Sequence, residues 1–100
     1  MNILRLTLYK KYFIQILNKE KLIEYRETKP FWEKKFSKKS YDVIEFINGY
    51  GKHRPFLKIE IKQIIKTDKF FEIHLGEILE TRNIEILNSF NLNLFQDIQN

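Results

Sequence analysis

Apolar and polar positions alternate with two different periods along this chain, and the switches between them mark its elements. Leu4, Leu6 and Leu8 fall on one face of an extended segment with Arg5 and Thr7 on the other, which predicts a half-buried strand over residues 3–8. The period then lengthens. Tyr9, Phe13, Ile16 and Leu17 sit at i, i+4, i+7 and i+8, a single helical stripe with Asn18 placed to stop it. A second strand is predicted over residues 22–26, with Glu24 and Arg26 on one face and Ile23 and Tyr25 on the other. Pro30 suits the first turn of a short helix capped by Thr28 or Lys29, in which Trp32 and Phe36 lie one turn apart. The outer face of that helix is basic, with Lys34, Lys35, Lys38 and Lys39, and Ser37 and Ser40 mark its end. Residues 41–48 are apolar on both faces apart from Asp42 and Glu45, the pattern of a central strand.

Asn48-Gly49-Tyr50-Gly51 follows, a loop whose two glycines open backbone shapes that other residues resist. After Pro55, Leu57, Ile59 and Ile61 point one way and Lys58, Glu60 and Lys62 the other. Phe71, Ile73 and Leu75 repeat this opposite Phe70, Glu72 and His74, with residues 66–69 as the turn. Residues 75–79 are expected to extend into a short sixth strand after a bend at Gly76. From Asn83 the pattern suits both periods: Ile84, Ile86, Phe90, Leu92 and Leu94 alternate as a strand does, while Leu87, Phe90, Leu94 and Ile98 also fit a helix. A strand with a frayed end is the expectation. The whole reads as an α+β fold, a small mixed β-barrel of five or six strands with two or three short helices plugging its openings.

At 100 residues the chain is expected to form one domain, residues 1–100, with 85–100 as a C-terminal extension. Hydrophobic residues at 43% supply enough apolar material to offset chain entropy. With no cysteine, thiolate metal sites and disulfides are excluded, and His53 and His74 are too few for a metal cluster, so no metal and no cofactor are expected. No apolar run approaches the roughly 18 residues of a membrane span, and a cytoplasmic protein is expected. The net charge of +5 is unevenly spread. Residues 1–58 carry fourteen Lys or Arg against six acids, whereas residues 59–100 carry four against seven. One half of the domain is basic, which suits an anionic partner.

Lys21, Glu24 and Arg26 lie within six residues around a strand start, close enough to frame one polar cleft. Arg offers a planar donor fork, Lys a mobile cation, and Glu an acceptor for an exocyclic amine. Read from the residues alone, the same trio also fits a solvated ladder of ion pairs. Trp32 and Tyr50 are candidate stacking partners for a base, Trp32 being better placed for the core and Tyr50, between two glycines, for solvent. Lys52, His53 and Arg54 continue that loop as candidate phosphate contacts. His74 fits a satisfied strand histidine; Glu60, between Lys58 and Lys62, fits a salt-bridged outer face better than the cleft; and Glu77 fits a structural role at the bend and a catalytic one equally.

The segment from Asn18 to Trp32 resembles the ASCH domain, whose hallmark is a Gly-x-Lys-x-x-Glu-x-Arg string at the end of the first helix and into the second strand. Lys21, Glu24 and Arg26 match it, and Lys19 holds the glycine position, next to Asn18, which can also take a left-handed cap. The likeness continues through Tyr41-Asp42-Val43-Ile44, Asn48-Gly49-Tyr50-Gly51 and Leu75-Gly76-Glu77-Ile78-Leu79 to Ile84. It implies a PUA-like barrel, a cleft between the first helices and the barrel, and a role in RNA metabolism. The expected ligand is RNA or a nucleoside or nucleotide, held by Lys21, Glu24, Arg26, Asn48, Tyr50, Lys52 and Arg54.

An enzymatic alternative follows from the same likeness, with Lys21 and Glu24 as catalytic candidates. Some small ASCH proteins are amidohydrolases that remove acetyl from acetylated cytidine with a lysine, a threonine and a glutamate. Here Lys21 fits the lysine, but Glu24 stands at the threonine position and removes its hydroxyl. A ribonuclease using a Lys and Glu pair is a second catalytic alternative. A protein-interaction factor of phage or mobile-element type is a third reading, which composition neither favours nor excludes.

Overall fold

A computed structural model describes residues 1–87. The two periods become β1 (Ile3–Thr7), α1 (Lys10–Leu17), β2 (Ile23–Glu27), α2 (Pro30–Lys38), β3 (Val43–Ile47), β4 (Phe56–Lys66) and β5 (Phe70–Arg82). The five strands form one sheet in the order β1-β3-β4-β5-β2. β1 runs parallel to β3, and every other neighbouring pair is antiparallel. This order leaves β1 and β2, early neighbours in sequence, at opposite edges.

Register follows burial. Leu4 lies beside Ile44, and Ile44 beside Ile59; Leu6 lies beside Phe46, and Phe46 beside Leu57, so one buried layer crosses three strands. The long β4–β5 hairpin closes on a turn in which the Thr67 hydroxyl accepts from the Phe70 amide at 3.1 Å. Its pairing slips between Lys58 and Gln63, and such irregularities increase twist and bend a strand. The sheet curls accordingly into a half-barrel, and α1 drops Phe13 and Ile16 onto its inner layer, where both are buried. Trp32 and Phe36 of α2 stack at 5.7 Å and close the core's border against Phe71. No described helix is long and apolar enough to cross a membrane.

Several expectations are corrected. There is no separate sixth strand among the described residues: Phe70 to Arg82 is continuous, and Gly76 sits within it, where an added Cβ would meet the Glu60 carboxylate. Residues 85–87 are helical rather than extended, and Leu87 is buried in the core. The helical spacing won there because a helical turn brings Leu87 inward beside Ile84. Phe90, Leu92, Leu94 and Ile98 lie outside the described residues. Tyr9 does not join the α1 stripe; it precedes the helix as its N-cap and is exposed. The left-handed residue after α1 is Lys19 itself (φ 61°), while Asn18 keeps φ −85°.

Candidate functional site

The α1–β2 turn positions the first functional side chain. The Glu20 and Lys21 amides both donate to the Gln15 carbonyl, at 2.8 and 3.1 Å, and the left-handed Lys19 makes that reversal geometrically accessible. Lys21 therefore leaves the helix end just before β2 begins. Along β2 the two-residue period then puts Glu24 and Arg26 on the same inner face. Glu24 is only 4% exposed, the one buried charged residue among those described, and charged side chains are almost never fully buried unless paired.

Both of its oxygens are engaged. Oε1 lies 3.4 Å from the Lys21 ammonium, and Oε2 accepts a hydrogen bond from the Arg26 guanidinium. Arg26 also donates to the Tyr25 carbonyl at 2.9 Å and lies over the Trp32 ring at 5.4 Å, which fixes the plane of its fork. The Lys21 ammonium lies over two rings, 5.1 Å from the centre of Tyr25 and 5.5 Å from that of Tyr12. Among the described residues, no buried side-chain nitrogen or oxygen lacks a hydrogen-bond partner. The cluster is a satisfied network, and satisfied networks hold their geometry.

This cluster borders an open cleft of about 720 Å³. Lys21, Glu24, Tyr25 and Arg26 line one side, Tyr9, Lys10 and Tyr12 another, and Thr7, Leu8 and the Asn48–Tyr50 turn complete it. The cleft thus occupies the seam where β1 and β2, the two edges of the curled sheet, fail to meet. Among the described residues its lining holds three cationic side chains, Lys10, Lys21 and Arg26, one carboxylate and four tyrosines. The Asn48 amide ties the third side down: its Nδ2 donates to the Leu8 carbonyl at 2.9 Å, and its backbone amide donates to the Pro55 carbonyl at 3.1 Å. Asn48 is thereby a positioning residue for the loop. Gly49 and Gly51, at φ 81° and 85°, allow the turn that leaves Tyr50 96% exposed at the rim.

Of the residues singled out from sequence, Lys21, Glu24, Arg26, Asn48 and Tyr50 line this one cleft. Lys52, His53 and Arg54 do not; they line an adjoining cavity of about 390 Å³ with Pro55, Ile86 and Leu87. Trp32 packs into the core border, and the basic face of α2 contributes nothing to the cleft lining. His74 bonds Glu72 at 3.1 Å, Glu77 is exposed, and the Glu60 carboxylate lies beside Gly76, all away from the cleft. Among the described residues, no three His, Asp or Glu side chains come together as metal ligands do.

Tyr9, Lys10, Tyr12 and Tyr25 are the lining residues that the pattern did not reveal. Tyr9 matched the helical stripe, and Tyr25 stood opposite the charged pair on its strand. One signal was present: three of these four positions, 9, 12 and 25, hold tyrosine, whose polar tip suits a wet rim, where phenylalanine or leucine would suit the core. Compared with known proteins, the chain matches no protein-family model and no curated sequence.

Proposed function

We propose that the chain is an ASCH-type, PUA-like domain that binds RNA, or a nucleoside or nucleotide unit of it, in the cleft at the β1–β2 seam. The observation that carries this reading is the buried Glu24 carboxylate held between Lys21 and Arg26 beside exposed tyrosine rings. A buried ion cluster rarely stabilises a fold more than apolar residues of the same volume would, so its presence at a cleft floor points to use. A carboxylate has about four acceptor sites, and two cations leave acceptor capacity toward the cleft for the exocyclic amine of a base. Tyrosine faces supply stacking, worth about 1–3 kcal/mol per base. The positioning of Lys21 against a carboxylate and two rings suits a cation that grips an anion more than a nucleophile, which favours a binding module over the amidohydrolase.

Thermal-shift measurements over the four ribonucleosides, their monophosphates and short RNAs test the reading. A ligand at 100 times its Kd stabilises the native state by about 2.7 kcal/mol, a readily measured rise in Tm. The expected result is such a rise with at least one of these ligands, abolished by Arg26→Ala. Absence of any shift across the whole panel at millimolar concentration overturns the proposal.

A further inference from the structure

The cavity beside the cleft is a second compartment of the same trough. Lys10, Asn48, Gly49 and Tyr50 line both spaces, so the 48–50 turn divides them without separating them. The two compartments differ in chemistry. The first contains the carboxylate and most of the rings, whereas among the described residues none that lines the second is acidic, and Lys10, Lys52 and Arg54 are cationic. Among the described residues, Lys52 and Arg54 form no ion pair, unlike Arg5, Arg26 and Arg82.

The loop that carries these cations is held in place rather than loose. It is anchored at one end by the two Asn48 hydrogen bonds and at the other by Asn83, whose amide donates to the Arg54 carbonyl at 3.1 Å. Between the anchors, Gly49, Gly51 and His53 all take left-handed backbone conformations, so the chain turns tightly. Lys52, His53 and Arg54 are thereby presented together over one cavity.

We infer that the second compartment is a phosphate subsite, and that the ligand of this domain is a base with its adjoining phosphate and not a bare nucleoside. The inference rests on the reading of the first compartment as the base site. Arg54 supplies a planar fork suited to two phosphate oxygens, and Lys52 a mobile point charge. Tyr50 stands at the divide, where the sugar between base and phosphate passes. The phosphate source is either a free mononucleotide or a single strand of RNA, and the same contacts serve both.

The test is isothermal titration of the full chain with each ribonucleoside, its 5′- and 3′-monophosphates, and a hexanucleotide of the preferred base. At low salt, one of the monophosphates should bind about ten-fold more tightly than its nucleoside, with the gain shrinking as salt rises. In the Lys52→Ala/Arg54→Ala variant, that ratio should collapse to less than about two-fold. These side chains are exposed, and an unchanged Tm verifies that the variant is folded. A hexanucleotide whose advantage over the monophosphate is also lost in the variant identifies an RNA strand; no such advantage identifies a free nucleotide. Equal affinity for nucleoside and monophosphate, or a ratio that survives the double variant, overturns the phosphate subsite and leaves the base cleft standing. Failure of both nucleosides and nucleotides to bind overturns the base cleft, and the subsite with it.

Discussion

Replacing Glu24 with glutamine separates the structural from the recognition role of the cleft floor. The side chain keeps its volume and one acceptor oxygen but loses the charge that balances Lys21 and Arg26. Removing one member of a fully buried ion pair costs about 3–5 kcal/mol, because the remaining charge is left without compensation. Here the remaining charges are less confined than the one removed. The Lys21 and Arg26 side chains are 19% and 20% exposed against 6% for Glu24, so both cations recover some hydration. The loss should therefore resemble that of charge-assisted hydrogen bonds, about 2 kcal/mol. For a domain near 100 residues, each kcal/mol lowers Tm by about 4–8 °C, so Glu24→Gln should melt roughly 8–16 °C lower.

Arg26→Met should cost more, about 3 kcal/mol, since it strands the more deeply buried carboxylate with a single cation at 3.4 Å. The triple change Lys21→Met, Glu24→Leu and Arg26→Met removes every charge at once and should recover most of the native Tm. All three variants should lose nucleotide affinity. Thermal denaturation followed by circular dichroism gives the stability order, and titration calorimetry gives the binding. A Glu24→Gln protein that melts at the native temperature would refute the energetic argument, and native affinity in the triple variant would refute the recognition role.

Phe13→Ala should destabilise by about 3–5 kcal/mol, because the ring is fully buried between α1 and the sheet; urea denaturation measures it. Lys19→Gly should raise Tm by a few degrees: left-handed backbone costs a non-glycine residue about 1–2 kcal/mol, and the added unfolded-state freedom of glycine returns only part of that gain. Weak or no release of acetate from acetylated cytidine is expected, as Glu24 replaces the hydroxyl of the resembling hydrolases; robust turnover abolished by Lys21→Ala would make the hydrolase the leading reading. Neutralising Lys34, Lys35, Lys38 and Lys39 together should flatten the salt dependence of RNA binding while leaving mononucleotide affinity intact, since α2 stands outside the cleft.

How much of this was legible in the sequence depended on whether a residue's role was local. The alternation of Leu57, Ile59 and Ile61 and the spacing of Phe13 and Ile16 report a period and a buried face, and both survive in the fold. The shared face of Glu24 and Arg26 was equally readable, being a two-residue repeat. What the pattern missed depends on contacts between distant segments. Nothing near Gly76 announces Glu60, sixteen residues earlier, whose carboxylate occupies the space a side chain at 76 would take within an unbroken β5 where a bend was expected. Tyr9 and Tyr12 become cleft walls only because β2 lies across from α1. The helical turn at 85–87 depends on Leu87 finding the core, which decides between two periods that the local pattern left equal.

The position of the charges on β2 admits a purely structural explanation, and the details weigh against its being sufficient. β2 is an edge strand, and an inward-pointing charge is a known device for keeping an edge from pairing with another chain. One such charge meets that need. The opposite edge, β1, carries only the outward Arg5, hydrogen-bonded to Glu45 at 2.9 Å, and its inner positions Leu4 and Leu6 are apolar. On β2, by contrast, Glu24 is joined by Arg26 two residues on and by Lys21, which lies outside the strand and reaches back to it from the turn. Edge protection does not require that third member, nor the rings of Tyr12 and Tyr25 beside its ammonium. Nor does it require the 48–50 turn to be pinned across the seam by Asn48. A carboxylate held by two cations, bounded by aromatic faces and placed between sheet edges that do not pair with each other is what the proposed nucleotide site rests on. The curled sheet supplies the opening, because the edges it leaves apart are the ones that the first helix and the glycine loop then frame.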